Sequence, residues 1–269
     1  MQPIKNEKRS PGASLLVKFG GSVAGGGASD PVLRDLVSLA AEGMAVVLVH
    51  GGGPAVDVEC GRRGIVTSRI AGLRVTDAAT LEVVEEVLGR RVNAAIVAAL
   101  IGAGARAERV AGDDGVFVAR RMRRPEGDLG FVGEIARVDP ATVRAVLGRG
   151  AIPVVSPIGA DPDRQRYNIN ADTAAGALAV ALGVSAYVVV TDVGRVRVDR
   201  HDPATGIERM TIAQAEAFSR QGVFADGMIP KIEAALAAVR AGVPRAYICG
   251  AGEAAVRGAL DGSGTEIVP

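Results

Sequence analysis

The chain has 269 residues, 48% hydrophobic and 23% charged, enough apolar material for a large core and too much for a disordered chain. Its 31 basic residues nearly balance 30 acidic ones, which excludes the electrostatic footprint of a nucleic-acid or membrane-surface binder, and aromatics at 3% with no tryptophan leave few platforms for stacking bases. Two cysteines, Cys60 and Cys249, in neither metal-ligand nor CxxC spacing, exclude a disulfide-built fold and read as free thiols in a reducing cytoplasm.

The polar stretch Met1 to Pro11 lacks the apolar centre of a signal peptide and reads as a tail over residues 1–13, too short and too broken by Pro3, Pro11 and Gly12 for a stable helix. Ser14 to Phe19 is a short strand of buried type that runs into Gly20-Gly21 and a loose stretch from Ser22 to Asp30. A helix from Pro31 to Glu42 follows, then the apolar strand Ala45 to Val49, ending at His50 and the glycines Gly51, Gly52 and Gly53. Strand, glycine turn, helix, repeated, is the α/β rhythm.

Thr76 or Asp77 caps a long helical stretch to Ile101, with Leu81, Val84, Leu88, Val92, Ile96 and Leu100 at three- and four-residue steps and apolar residues on more than one face, as an interface helix would have. Strands are predicted at Val116–Ala119, Ile152–Ser156, Tyr187–Thr191 and Arg245–Cys249. Helices are predicted at Pro140–Leu147, Ala171–Leu182, Ile212–Arg220 and Pro230–Ala241. Three exposed excursions, 120–130, 159–166 and 198–206, read as hairpins. No linker divides the chain, so one continuous sheet with two lobes is expected.

Only four of the 31 basic residues are lysines, and two of those, Lys5 and Lys8, sit in the tail. A compact ammonium is not interchangeable with a guanidinium, so Lys18 and Lys231 stand out as catalytic candidates, or as chance survivors. Lys18 lies two residues before Gly20. Lys231 follows Pro230, which suits the first position of a helix, and a lysine there opposes the helix dipole unless an anion lies between them. Two ammoniums facing side-chain-free turns can clamp a transferring phosphoryl group. Neither glycine cluster fits GxGxxG or GxxxxGK[ST]. Asp172 reads as a helix cap or dipole partner, Asn168 and Asn170 as turn residues, and Arg74 as a surface arginine or a fork for a carboxylate. Of the two histidines in the chain, His50 reads as a structural residue beside the glycines and His201 as solvated.

The segments LVKFGG from Leu16, VHGGGP from Val49, GLRVTD from Gly72, YNINAD from Tyr167, TDV from Thr191 and GMIPK from Gly227, in this order, resemble the amino acid kinase family over Ser14 to Ile267. Within it the chain is most similar to the branch acting on N-acetyl-L-glutamate. The resemblance implies a three-layer α/β/α sandwich about a mainly parallel sheet, with an acyl-substrate lobe over about 14–160 and a nucleotide lobe over about 161–269. It implies that Lys18 and Lys231 stabilise the transition state and that Asp172 positions them. Gly20, Gly21, Thr191, Asp192, Gly227 and Met228 would meet nucleotide or phosphate, and Gly52, Gly53, Arg74, Asn168 and Asn170 the acyl substrate. ATP with Mg2+ is the implied cofactor, the ion being carried by phosphate and not by a protein cage. The implied assembly is a cytoplasmic homodimer that binds neither nucleic acid nor membrane. An alternative within the family is a kinase for aminoadipate or glutamate on an acidic carrier protein, docked by Arg120, Arg121, Arg123 and Arg124. Another is a non-catalytic sensor. Departures from the family pattern fall at Ser22, Val23, Asp113, Arg195 and Asp226.

Overall fold

The structure, a computed structural model, describes residues 13–20, 27–225 and 227–269. The calls on the tail through Gly12, on Gly21, Ser22 and Val23, and on Asp226 lie outside the described residues.

The chain begins with β1 (Ser14–Phe19), α1 (Pro31–Ala41), β2 (Ala45–His50) and α2 (Gly53–Arg62). A small hairpin, β3 (Arg69–Ile70) and β4 (Leu73–Arg74), leads to α3 (Ala78–Glu86), a π-helical segment (Val87–Val92) and α4 (Asn93–Gly102), which together form the long helix read from the sequence. Then come β5 (Ala107–Val110), β6 (Phe117–Arg121), β7 (Gly133–Val138), α5 (Ala141–Gly148), β8 (Ile152–Val155), β9 (Ile158–Ala160) and β10 (Arg166–Asn168). The remainder is α6 (Ala171–Leu182), β11 (Ala186–Val190), β12 (Arg209–Thr211), α7 (Ile212–Arg220), α8 (Met228–Arg240), β13 (Ala246–Cys249), α9 (Ala255–Leu260) and β14 (Thr265–Val268).

Eight strands make the central sheet in the order β12-β14-β13-β11-β1-β2-β8-β5. Six run parallel; β14, and β12 beside it, run against them. Alternate residues feed two separate cores, as the period-two geometry of a strand requires. Leu16, Val47, Val49, Tyr187 and Val189 pack with α5, α6, α7 and α8, whereas Leu15, Val17, Phe19, Leu48 and Val188 pack with α1, α4 and α9. The result is the expected three-layer α/β/α sandwich. The expected single continuous sheet is corrected: β6, β7, β9 and β10 form a second sheet, and β3–β4 a third. This second lobe has its own small core of Val56, Cys60, Val83, Val84, Val87, Leu88 and Ile158.

Two of the three excursions are hairpins, β6–β7 and β9–β10. The third is a turn-rich loop closed by a single bridge between Arg197 and Gly206, with no strands in it. Its Asp199 and Asp202 side chains accept bonds from nearby backbone N–H groups, a local alternative to a ladder. Strand β5 has no long apolar run to announce it because it is the sheet edge, with Glu108 and Arg109 turned outward.

Candidate active site

The carboxyl ends of β1, β2 and β11 lie side by side at the centre of the sheet, where ligands collect in open α/β folds. Register places Lys18 beside Val49 and Val189, and alternation puts it on the same face as Leu16, the face covered by α6 and α8. Lys18 and Asp172 are both buried, with Nζ 2.9 Å from Oδ1 and each side chain 7% exposed. The ammonium approaches off the hydrogen-bonding direction, so Oδ1 is paired by charge and takes no directed hydrogen bond. Tyr187, fully buried on β11, donates from its hydroxyl to the Asp172 carbonyl at 3.3 Å.

Asp172 owes its position to a well-made helix start. Asn170 caps α6, its Oδ1 accepting from Asp172 N at 2.9 Å and Thr173 N at 3.1 Å, and the aspartate lies in the first turn where the dipole favours negative charge. Helix α8 begins without a side-chain cap, and Lys231 sits in its first turn, donating to Gly227 O at 2.8 Å. Pro230 is the third helical residue, not the first as the sequence suggests; its missing N–H is still one of the four a helix start leaves unpaired. The two helices approach closely at Gly176, where a Cβ would lie 3.1 Å from Ala234 O. Because Gly176 follows Asp172 by four residues and Ala234 follows Lys231 by three, that contact brings both charged groups to one end of the helix pair.

Burial lowers the Lys231 pKa from the usual lysine value, and repulsion from Lys18 adds to this, while Asp172 and Asp192 pull it back up. Lys231 thus feels both charges of the Lys18–Asp172 pair. Thr191 follows β11, its N–H bonded to Cys249 O at 2.8 Å and its hydroxyl to Asp192 Oδ1 at 2.8 Å. Gly20 is buried at the end of β1.

On the second lobe, Arg74 is buried at the end of β4, donating to Gly53 O at 3.0 Å and pairing with Asp57 on α2. The Arg74 carbonyl accepts from Thr76 Oγ1 at 2.9 Å, and that hydroxyl accepts from Asn168 Nδ2 at 3.1 Å. Arg74, Thr76 and Asn168 therefore form one chain of hydrogen bonds. Gly130 admits the crossing strand: its φ is +65°, and a Cβ there would meet Thr76 O at 2.2 Å. Sequence reasoning missed Asp57 and Tyr187, which carry no local signal beyond an ordinary helix or strand residue, and read Thr76 only as a possible helix cap; the cap is Asp77, which accepts from Thr80 N at 2.8 Å.

The two departures among the described residues, Asp113 and Arg195, have structural partners. Asp113 pairs with Arg166 at 2.7 Å, and Arg195 ties Glu208 at 2.9 Å to the carbonyls of Gly262 and Ser263 at 2.8 and 3.0 Å. In the hairpin, Arg120 pairs with Glu134 and Arg121 with Asp128. Both cysteines are buried and unpaired, and burial pushes the Cys249 thiol up to about 12. No helix among the described residues is long and apolar enough to cross a membrane.

The fold, and the match to a family of kinases over most of the chain, define a phosphotransferase. The amino acid kinase family model matches residues 14–250, and the chain belongs to that family, using ATP as phosphoryl donor. The chain is 43% identical over 253 residues to the acetylglutamate kinase of Acidiphilium cryptum, covering 90% of this chain and 84% of that protein. It is 41% identical over 238 residues to the acetylglutamate kinase of Thermosynechococcus vestitus, covering 88% and 80%. Among solved structures, the N-acetylglutamate synthase of Neisseria gonorrhoeae with coenzyme A and N-acetyl-glutamate matches at a TM-score of 0.81 and 25% identity, over 96% of this chain and 59% of that one. The carbamate kinase of Giardia lamblia bound to AMP-PNP shares the fold alone, with a TM-score of 0.67 and 17% identity, over 96% of this chain and 98% of that one.

Proposed function

We infer that the chain transfers the γ-phosphoryl group of ATP to the γ-carboxylate of N-acetyl-L-glutamate, giving N-acetyl-L-glutamyl 5-phosphate and ADP, a step toward arginine. The observation that carries this reading is the buried Lys18–Asp172 pair at 2.9 Å with Lys231 close enough to respond to both charges, in a chain whose curated relatives are acetylglutamate kinases.

A carboxylate is ionised at neutral pH, so attack requires position and charge compensation and no general base. Phosphoryl transfer passes through a loose transition state whose charge spreads over the equatorial oxygens. Lys18 and Lys231 meet that charge from two sides while Asp172 fixes the first ammonium and steadies the second. Arg74 and Asn168 bind the substrate's carboxylate and amide, with Asn170 at the start of α6, and the amides of Gly52 and Gly53, unpaired as at any helix start, turn toward the acyl and phosphoryl groups. Gly20, Gly21, Thr191, Asp192, Gly227 and Met228 would meet the nucleotide or its phosphates; residues from about 14–160 supply most of the acyl-substrate side and from about 161–269 most of the nucleotide side, with Gly20 and Gly21 and with Asn168 and Asn170 reaching across. Mg2+ would be carried by the nucleotide phosphates and would neutralise part of their charge.

The assembly in this reading is a cytoplasmic homodimer built on the long helix, where Leu81, Val84 and Leu88 are buried and Ile101 is 55% exposed. The test of substrate is a hydroxamate assay with ATP and magnesium over N-acetyl-L-glutamate, L-glutamate, L-aspartate and L-2-aminoadipate. Acyl phosphate should form from the first alone. Equal yields from aspartate would contradict the reading.

A further inference from the structure

His50 ends β2 and is fully buried, with Nδ1 2.8 Å from the Gly51 carbonyl and Nε2 3.1 Å from Asn93 Nδ2. The neighbours of Asn93 decide which ring nitrogen carries the proton. Asn93 Nδ2 also donates to Val154 O at 2.9 Å, and its Oδ1 accepts from Arg109 Nε at 3.2 Å. A flipped amide would set donor against donor at Arg109 and acceptor against acceptor at Val154. The amide therefore presents N–H to Nε2, which accepts, and the ring's proton is on Nδ1, donated to Gly51. Arg109 is held in turn by Gly89 O, in the π-helical segment, at 2.7 Å. Burial holds the His50 pKa down at about 4, so the imidazole is neutral across the physiological range.

Strand alternation places His50 with Leu48 on the α1, α4 and α9 side of the sheet, opposite Lys18. In a trans peptide the carbonyl and the following N–H point in opposite directions, and the described residues contain no cis bond. Drawing the Gly51 carbonyl toward His50 thus turns the Gly52 N–H toward the side of Lys18 and Asp172. Gly52 cannot correct a rotated peptide with bulk of its own: its φ is +152°, and a Cβ would lie 2.4 Å from Leu88 Cδ2.

We propose that His50, Asn93 and Arg109 are positioning residues that aim the Gly52 N–H at the acyl and phosphoryl groups before ligand arrives. The proposal rests on the kinase reading above. It extends the site from the glycine turn, through the opposite face of the sheet, to the edge strand β5.

Nitrogen-15 NMR of the wild-type protein is expected to show His50 as the neutral Nδ1–H tautomer to below pH 5, and an Nε2–H tautomer would overturn the relay. Kinetics supply the functional readout. His50→Asn keeps an amide N–H near the place of Nδ1 and is expected to retain most turnover. His50→Gln loses the bond to Gly51, and Asn93→Leu loses the partner that fixes the His50 ring and tautomer; both are expected to raise KM for N-acetyl-L-glutamate about tenfold while KM for ATP stays within about twofold. Equal loss of turnover in both histidine variants, with both KM values unchanged, reports fewer folded molecules and would overturn the proposal. If those variants do not fold, Arg109→Gln takes their place: a rise of about threefold in the acyl-acid KM supports the relay and no rise overturns it. A wild-type protein inactive on N-acetyl-L-glutamate that still shows the Nδ1–H tautomer contradicts the substrate reading, not the hydrogen-bond relay.

Discussion

Helices α6 and α8 start side by side at the same end of the sheet, yet they are built by opposite rules. The start of α6 has an asparagine cap and an acid in its first turn, so every local preference is met and the helix end is stable without a ligand. The start of α8 has no side-chain cap and carries a partly buried lysine whose charge opposes the dipole and is repelled by Lys18. Where local rules are broken inside a well-packed fold, function is the usual reason. The α6 start is a finished support for Asp172; the α8 start has no side-chain partner of its own, and in the proposed function a nucleotide phosphate completes it.

The comparison breaks most severely if the finished side is damaged. Asp172→Ala leaves the Lys18 ammonium buried without a counter-charge, expected to cost about 3–5 kcal/mol in denaturant unfolding and at least about a hundredfold in turnover. A stability loss under about 1 kcal/mol would mean that water reaches Lys18 and that the pair is not an internal one.

The unfinished side should reveal itself through pH. Because the Lys231 pKa is lowered in the free protein, kcat/KM for ATP should fall with rising pH below the ordinary lysine range, while kcat, measured with phosphate bound beside the ammonium, holds to higher pH. The stability linkage has a definite sign. The unfolded chain binds more protons than the folded one between the lowered pKa and 10.5, so the ligand-free protein gains stability as pH rises through that window, and Lys231→Met removes the gain. Identical alkaline limbs for kcat and kcat/KM would show that nucleotide does not complete the α8 start.

The smallest effect is expected at the contact linking β11 to α6. Tyr187→Phe removes the hydroxyl bonded to the Asp172 carbonyl, and should cost about 1 kcal/mol in stability and a few-fold in kcat. A larger kcat loss without a stability loss would promote Tyr187 from support to a direct setter of the Asp172 position.

Much of this was legible before the structure. Lysine scarcity singled out Lys18 and Lys231, and the start of α6 is legible at Ala171 because both signals are local; the cap, read as Asp172 with Asn170 as a turn residue, is Asn170, and Asp172 is the dipole partner in the first turn. What stayed hidden depends on contacts distant in sequence. Tyr187 reads only as a strand residue in an apolar run, and its hydroxyl gains meaning from a helix fifteen residues away. Asn93 lies within a long helical pattern whose periodicity conceals the π-helical segment, and Arg74 reveals its partner Asp57 only when the β3–β4 hairpin folds onto α2. The four-residue edge strand β5 was missed because its outward residues are charged, and α9 because Ala254, at φ +49°, gives no capping signal.

The most direct test of a two-lysine clamp is the single-turnover rate of phosphoryl transfer at saturating ATP and N-acetyl-L-glutamate, measured for the wild type, Lys18→Arg and Lys231→Arg. Each substitution keeps the charge and changes its shape, so each should slow the chemical step by about a hundredfold or more while nucleotide affinity by calorimetry changes only a few-fold. A near-normal single-turnover rate in either variant would contradict the account, since that lysine would then not be a transition-state group.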